Sequence, residues 1–192
     1  TTQLIQGTQL AFLKLTKDYA VSPDSRAFMI HGTKGHNNLE GADDEYSLLE
    51  ERFDSADTEI TGIADVVEVE NNKTILADYK TSGSFKVAKA LCFYVDIEET
   101  GEVFKSGKKK GQPKTRQILK RDDNKVDRRE WELQLGKYAI ELAKRDFPID
   151  DLKIQCIVRD GGTYIARSRG VFRNIYYFKI NRLPDTEINE YF

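Results

Sequence analysis

The sequence has few of the residues that define several protein classes. Among its 192 residues are two cysteines, Cys92 and Cys156, which are too few for a disulfide framework or a four-thiolate cluster. No apolar run approaches the roughly 20 residues that a membrane-spanning helix needs, and no signal-peptide pattern opens the chain. We therefore expect an intracellular, cytoplasmic protein with no membrane partner.

The sequence also lacks an internal repeat and a linker that would divide it. Its length suits one domain with a sizeable core, and its content of 39% apolar and 32% charged residues is ordinary for a globular protein. We therefore predict a single domain over residues 1–192. Because the chain begins at Thr1 rather than at a methionine, a fragment of a longer chain is also compatible with this prediction.

The net charge of −2 hides one strongly basic segment. Residues 105–129 hold eleven Lys and Arg against three Asp, a net charge of +8, which leaves −10 for the rest of the chain. Such a block is a candidate phosphate-contacting surface, because each neutralised phosphate releases counterions. The alternative is a solvated, mobile loop that keeps the chain soluble. The candidate contact residues are Lys108, Lys109, Lys110 and Arg116.

The pattern of apolar residues predicts an alternation of helices and strands. Helical spacing predicts helices over residues 3–19, from about 32 toward 51, and over 84–92, 129–144 and 185–192. Runs rich in β-branched residues predict strands over residues 59–70, 74–80, 152–160 and 175–183, and residues 92–107 fit two short strands about a Thr100-Gly101 turn. This order predicts an α/β fold with a central mixed β-sheet flanked by helices.

Strand 74–80 carries the most informative residues. Alternation along a strand places Asp78 and Lys80 on one face and Tyr79 on the other. A carboxylate can bind a hard divalent cation, while a neighbouring lysine orients or activates a water molecule. Asp-X-Lys also occurs by chance, and an exposed surface ion pair is the simpler interpretation when the motif stands alone.

A second carboxylate, Asp65, lies in the preceding strand among valine and isoleucine residues. An ionised side chain is costly to bury there unless it is paired or bound to a metal. An Asn71-Asn72 turn would join the two strands as a hairpin and bring Asp65 close to Asp78. Two crowded carboxylates repel, and a divalent cation relieves that repulsion. The alternative places Asp65 at a strand edge, facing water.

Two further pairs of polar residues have helical spacing. His36 and Glu40 are four residues apart, as are Gln134 and Tyr138. Gln134 flanks the apolar stripe of its helix, so its amide and the phenol of Tyr138 can position a phosphate or a catalytic side chain. Taken singly, His36 is more simply a structural histidine and Tyr138 a core aromatic residue.

Four polar elements therefore follow one another along the chain. They are His36-x-x-x-Glu40, Gly62-x-x-Asp65, Asp78-Tyr79-Lys80 and Gln134-x-x-x-Tyr138. In this order and spacing they resemble the RecB-like branch of the PD-(D/E)xK nuclease superfamily. The resemblance covers residues from about 30 to 140 and implies a restriction-endonuclease-like core. No single motif is diagnostic, whereas the ordered set is specific.

The resemblance implies a role for each matching residue. The metal ligands would be His36, Asp65, Asp78 and the main-chain carbonyl of Tyr79. Lys80 would be the catalytic lysine, and the residues near the site and the DNA would be Gln134 and Tyr138. Glu40 matches no assigned role beyond support of His36. The basic segment 105–129 lies between the catalytic strand and the helix of Gln134, so it would contact the DNA backbone.

The resemblance also implies an activity. The enzyme would hydrolyse phosphodiester bonds in DNA with one or two Mg²⁺ or Mn²⁺ ions, and Asp65, Asp78 and Lys80 would be catalytic. An exonuclease in recombination, repair or phage and mobile-element DNA processing is favoured, with a helicase or recombination protein as candidate partner. The alternatives are a structure-specific endonuclease, a non-catalytic DNA-binding module and a globular interaction domain in which the motifs are coincidental. The oligomeric state stays open. Members with an iron–sulfur cluster need four cysteines, so the two cysteines exclude such a cluster within this chain.

Overall fold

The computed structural model describes residues 8–20, 47–54 and 61–192. Its helices are α1 (Thr8–Thr16), α2 (Ser84–Ala90), α3 (Arg129–Ala143), α4 (Tyr164–Ser168) and α5 (Asp185–Tyr191), and a 3₁₀ turn covers Asp123–Lys125. Its strands are β1 (Ser47–Asp54), β2 (Thr61–Glu70), β3 (Lys73–Ser82), β4 (Phe93–Val103), β5 (Pro113–Arg121), β6 (Asp151–Val158) and β7 (Ile175–Ile180). These elements confirm the predicted α/β class, with a mixed central sheet flanked by helices.

The larger sheet contains five strands in the order β1-β2-β3-β6-β7. Strand β2 pairs antiparallel with both β1 and β3, and Val66 lies opposite Ala77 in the β2–β3 ladder. The turn between β2 and β3 is formed by Asn71 and Asn72, whose φ angles are 52° and 60°. Asparagine tolerates this left-handed region, and two such residues form a tight turn that matches the twist of a hairpin. The predicted hairpin is therefore confirmed.

Helix α3 is buried more completely than its spacing predicts. The predicted stripe through Trp131, Leu135 and Leu142 is buried, but so is nearly every residue from Leu133 onward. The ring of Trp131 packs 5.3 Å from that of Phe178 on β7, measured between ring centroids. Within the described ranges, no helix is both long and apolar enough to cross a bilayer.

The chain divides into two compact units. Unit 1 comprises Thr1–Thr81, Arg129–Ile157 and Tyr176–Phe192, and unit 2 comprises Ser82–Arg128 and Val158–Ile175. Unit 2 contains α2, α4 and the β4–β5 hairpin. Its sequence holds sixteen Lys and Arg against eight Asp and Glu, a net charge of +8, whereas unit 1 has a net charge of −10.

Strand β1 corrects one prediction. Residues 47–51 are part of a strand, so the predicted helix does not reach Glu51, and the rest of that prediction lies outside the described residues. The charged stretch Glu50-Glu51-Arg52 fits a helix by its intrinsic preference. Pairing with β2 overrides that preference, because strand formation depends strongly on the neighbouring strand.

The segment 92–107 corrects another prediction. It contains one long strand, β4, rather than two short strands about a Thr100-Gly101 turn. Gly101 has a φ of 75° and lies where the β4–β5 register shifts between Glu99 and Val103. The glycine therefore permits a bulge within the strand, a backbone conformation that also makes glycine common in turns.

The partner of β4 is β5, which lies within the basic segment 105–129, so that part of the segment is a strand rather than the solvated loop of the alternative interpretation. Acidic side chains of β4 form ion pairs with basic side chains of β5, either directly opposite or at neighbouring positions of the ladder. The cross-strand ion pairs are Lys120–Asp96 at 2.7 Å, Arg116–Glu98 at 3.0 Å and Lys114–Glu102 at 2.8 Å. All are exposed, so each contributes at most about 1 kcal/mol, but together they favour this register.

Candidate active site

Asp78 lies in the buried middle part of β3. Leu76 and Ala77 precede it in the core, and Asp78 itself is 2% exposed. A carboxylate in such a place is costly unless it is paired and hydrogen-bonded. The Nζ atom of Lys80, on the same face of the strand, lies 3.0 Å from Oδ1 and 2.8 Å from Oδ2 of Asp78. The motif is therefore an ion pair between a buried carboxylate and a partly exposed lysine rather than an exposed surface pair.

Lys80 keeps its positive charge in this pair. Burial favours the neutral amine, but the carboxylate of Asp78, with a smaller contribution from Asp65, outweighs it and raises the pKa of Lys80 above its usual value. The side chain retains 27% exposure. An ammonium that is held by a buried carboxylate and still reaches solvent can donate a hydrogen bond to an arriving anion.

Helix α3 brings two more polar side chains to Asp78. The Nε2 atom of Gln134 donates hydrogen bonds to Oδ1 of Asp78, at 3.4 Å, and to the hydroxyl of Tyr138, at 3.2 Å. Both side chains are buried. Burial raises the pKa of the Tyr138 phenol, an effect that the bond from Gln134 partly opposes. Tyr138 is thus a core aromatic residue that also orients the amide beside Asp78.

Asp65 on β2 lies next to this cluster. Val66 lies opposite Ala77 in the antiparallel β2–β3 ladder. Asp65 precedes Val66 and Asp78 follows Ala77, so the two carboxylates belong to neighbouring positions on adjacent strands. The Oδ2 atom of Asp65 accepts a hydrogen bond of 2.9 Å from the backbone N–H of Tyr79. Strand β2 is an inner strand and Asp65 is half-buried, so this carboxylate is not at a sheet edge. The hairpin therefore places the second carboxylate where its turn predicts.

The side chain of Tyr79 lies apart from the cluster, as strand alternation predicts. Burial raises the pKa of its phenol, and the nearby carboxylate of Glu68 raises it further. Glu68 is paired with Lys153, so this face of the sheet has its own ion pair. Tyr79 therefore contributes to the site through its backbone N–H and not through its side chain. The implied role of its main-chain carbonyl as a metal ligand stays a prediction.

The donor set of the cluster suits a hard divalent cation. Carboxylate oxygens are ligands that Mg²⁺ and Mn²⁺ prefer, and Asp65 and Asp78 provide them on adjacent strands. Within the ranges that the structure describes, no group of three or more His, Cys, Asp or Glu side chains is arranged to hold a metal. The predicted ligand His36 and its neighbour Glu40 lie outside those ranges. The described residues therefore supply two candidate ligands of the expected chemistry.

The predicted DNA-contacting residues of the basic segment belong to unit 2. Lys108, Lys109 and Lys110 are exposed in the turn that joins β4 to β5. Arg116 lies on β5, where its guanidinium donates to Glu98. The structure thus gives these residues a defined place on a hairpin, while their contact with DNA stays a prediction.

A polar network in unit 2 was not predicted from the sequence. The carboxylate of Asp160 accepts hydrogen bonds of 2.6 Å from both the backbone N–H and the hydroxyl of Ser84. Burial opposes ionisation of Asp160, but these bonds outweigh it and lower the pKa of the carboxyl. Arg169 donates to the same hydroxyl at 2.9 Å. The available signal was an aspartate directly before Gly161-Gly162, a pattern that also suits any turn.

Comparison with known proteins gives little. No protein-family model matches the chain, and no curated protein matches it. Among solved structures, one described as "Crystal structure of SSO0001" is similar over 99% of this chain and 70% of that chain, with 17% sequence identity and a TM-score of 0.47. A likeness this distant supports no argument about the fold or the activity of this chain.

Proposed function

We propose that this chain is a divalent-metal-dependent DNA nuclease of the RecB-like PD-(D/E)xK type, with a restriction-endonuclease-like core. One observation carries the proposal: Lys80 from β3 and Gln134 from α3 both hydrogen-bond to the buried carboxylate of Asp78. These residues are separated by more than fifty positions and belong to two of the four motifs. Motifs that agree in sequence order and also meet around one carboxylate are poorly explained by chance.

The residues of the cluster fit the chemistry of phosphodiester hydrolysis. Asp65 and Asp78 would hold Mg²⁺ or Mn²⁺, which lowers the pKa of water and neutralises charge on a phosphate. Lys80 would donate a hydrogen bond to a phosphate oxygen or to the attacking water, because its ammonium is already aligned by Asp78. Gln134, held by Tyr138, would fix the carboxylate of Asp78 in one orientation.

A non-catalytic DNA-binding module of the same fold is the second candidate. The net charge of +8 on unit 2 favours it, because a basic surface binds phosphates whether or not hydrolysis follows. This candidate predicts DNA binding without cleavage.

Digestion of end-labelled DNA tests both candidates. Linear single-stranded and double-stranded DNA and a closed circle are incubated with Mg²⁺, Mn²⁺ or EDTA. The variant is Lys80→Ala, and the matched control is Lys153→Ala, which removes a lysine paired with Glu68 on the same sheet. We expect metal-dependent cleavage by the wild type and the control, and its loss in Lys80→Ala.

The substrates separate the types of nuclease. Loss of linear DNA alone indicates an exonuclease, and the position of the label gives its polarity, whereas cutting of the circle indicates an endonuclease. Binding of DNA without cleavage in any metal would favour the non-catalytic module. Cleavage that persists in Lys80→Ala would contradict the assigned site.

A further inference from the structure

We propose that unit 2 binds single-stranded DNA in a groove between α2, the β4–β5 hairpin and α4. The groove has a volume of about 760 Å³. The residues that carry the argument line it from all three elements and are Phe85, Lys89, Phe93, Tyr94, Tyr164 and Arg169. The choice of DNA over RNA rests on the function proposed above, whereas the groove itself is independent of the Asp78 cluster.

Aromatic side chains are unusually exposed in this groove. Phe85 on α2 is 60% exposed and Tyr164 on α4 is 85% exposed. Tyr94 on β4 is half-buried. Exposed rings along a groove are the platforms on which unpaired bases stack, and this interaction tolerates any base sequence.

Cationic groups lie over two of these rings, those of Phe85 and Tyr94. Lys89 Nζ and Arg169 Cζ are 5.1 Å and 5.7 Å from the centre of the Phe85 ring, and Lys125 Nζ is 3.8 Å from that of Tyr94. Cations spaced among aromatic rings can contact phosphates while the bases stack beside them. The combination suits a polyanion with planar bases better than a purely apolar ligand.

The walls of the groove are held in place before any ligand binds. The carboxylate of Asp160 binds Ser84 at the start of α2, and Arg169 after α4 donates to the Ser84 hydroxyl. Phe93 packs closely on Gly170, where a Cβ atom would lie 2.8 Å from the ring. A preorganised groove loses less conformational freedom on binding, which favours affinity.

The charge and the rings together select a single strand. Unit 2 has a net charge of +8, which complements a phosphate backbone. Bases in a duplex are stacked on one another and leave no face for Phe85 or Tyr164. A single strand offers both its phosphates and its base faces, so it can contact both the cations and the exposed rings that line the groove.

The test is fluorescence anisotropy of a labelled oligo(dT) of about 20 nucleotides, long enough for the site sizes usual in single-strand binding. The full chain is titrated in EDTA, so that cleavage does not occur. Phe85→Ala and Tyr164→Ala should each weaken binding by about 5- to 150-fold, as expected for the loss of one stacked base. Phe85→Trp keeps an aromatic ring and should bind as tightly as the wild type. Tyr177 is an aromatic residue of unit 1 that is 64% exposed, and Tyr177→Ala should leave binding unchanged.

Salt dependence gives an independent measurement. Lys89→Ala should lower the slope of log affinity against log salt by about 0.7 if the ammonium contacts one phosphate of a single strand. Circular dichroism checks that each variant is folded.

Three results would overturn the proposal. The first is that Phe85→Ala and Tyr164→Ala bind oligo(dT) with the same affinity as the wild type. The second is that Tyr177→Ala weakens binding as much as these variants do. The third is that the chain binds a duplex or oligo(U) more tightly than oligo(dT). The nuclease proposal can fail separately. If the wild type binds oligo(dT) but cleaves no DNA in any metal, the nuclease proposal fails and the groove stays supported. If the wild type cleaves DNA but Phe85→Ala and Tyr164→Ala bind oligo(dT) as tightly as the wild type does, the groove proposal alone is refuted.

Discussion

Replacement of Lys80 by alanine should destabilise unit 1 unless a divalent cation is present. The substitution removes the ammonium that lies 2.8 Å from a carboxylate oxygen of Asp78, a residue that is 2% exposed. Loss of one partner from a buried ion pair costs about 3–5 kcal/mol, because a charge is left without compensation. Lys80 retains 27% exposure, so we expect the lower end of this range, about 3 kcal/mol.

Thermal unfolding measures this loss. In a protein of this size, 1 kcal/mol corresponds to about 2–4 °C, so the melting temperature in EDTA should fall by about 6–12 °C. Trp131 is the one tryptophan of the sequence and is buried in α3, so its fluorescence follows unit 1. Mn²⁺ should stabilise Lys80→Ala more than the wild type, since a cation between Asp65 and Asp78 would replace the lost charge.

Two controls make the measurement decisive. Lys153→Ala breaks a partly exposed ion pair with Glu68 and should cost at most about 1 kcal/mol, with no change in the response to Mn²⁺. Asp78→Ala should abolish that response. A melting temperature of Lys80→Ala equal to that of the wild type in EDTA would refute the reasoning about the buried pair. An equal gain from millimolar Mn²⁺ in all variants would refute the metal site.

Two further substitutions in α3 separate catalysis from stability. Gln134→Leu removes the amide that donates to Asp78, so DNA cleavage should fall about tenfold or more and the free energy of unfolding by about 1–3 kcal/mol. Glu141→Gln leaves the 2%-exposed Lys137 without its carboxylate and should cost about 3–5 kcal/mol at neutral pH. Burial opposes ionisation of Glu141, but Lys137 and Lys144 outweigh it and lower its pKa. Its stabilisation is therefore present above the unfolded pKa of about 4.3 and is lost as the pH falls through the lower folded pKa, so the difference in melting temperature between wild type and Glu141→Gln should close there.

Local sequence pattern was sufficient to predict the arrangement of Asp65, Asp78 and Lys80 in the site. Strand alternation predicts that Asp78 and Lys80 share a face, and the Asn71-Asn72 turn predicts that Asp65 lies beside Asp78. Both predictions involve residues within one hairpin, where the chain has few alternatives. The approach of Gln134 to Asp78 joins an α-helix to a strand far away in sequence, and helical spacing alone predicts only that its amide flanks a buried stripe.

The errors arose where pairing between strands decides the structure. The stretch around Glu51 has the composition of a helix, and only its ladder with β2 makes it a strand. The basic segment shows no apolar alternation, because its strand is matched by charge. Arg116 lies opposite Glu98 of β4, and Lys120, which lies opposite Tyr94, pairs diagonally with Asp96. A search for complementary charges in neighbouring segments would have found this hairpin, since opposite charges across a ladder stabilise it.

The net charge of the whole chain was the least informative property for function. A value of −2 does not suggest a polyanionic partner, yet it is the sum of −10 in unit 1 and +8 in unit 2. At physiological salt, exposed charges act over a Debye length of about 8 Å, so a bound strand responds to the cations that it touches rather than to the total. The exposed rings of Phe85 and Tyr164 add an attraction that salt does not screen in this way. Oligo(dT) binding should therefore keep a component at high salt that disappears when these rings are removed, which a purely electrostatic surface would not show.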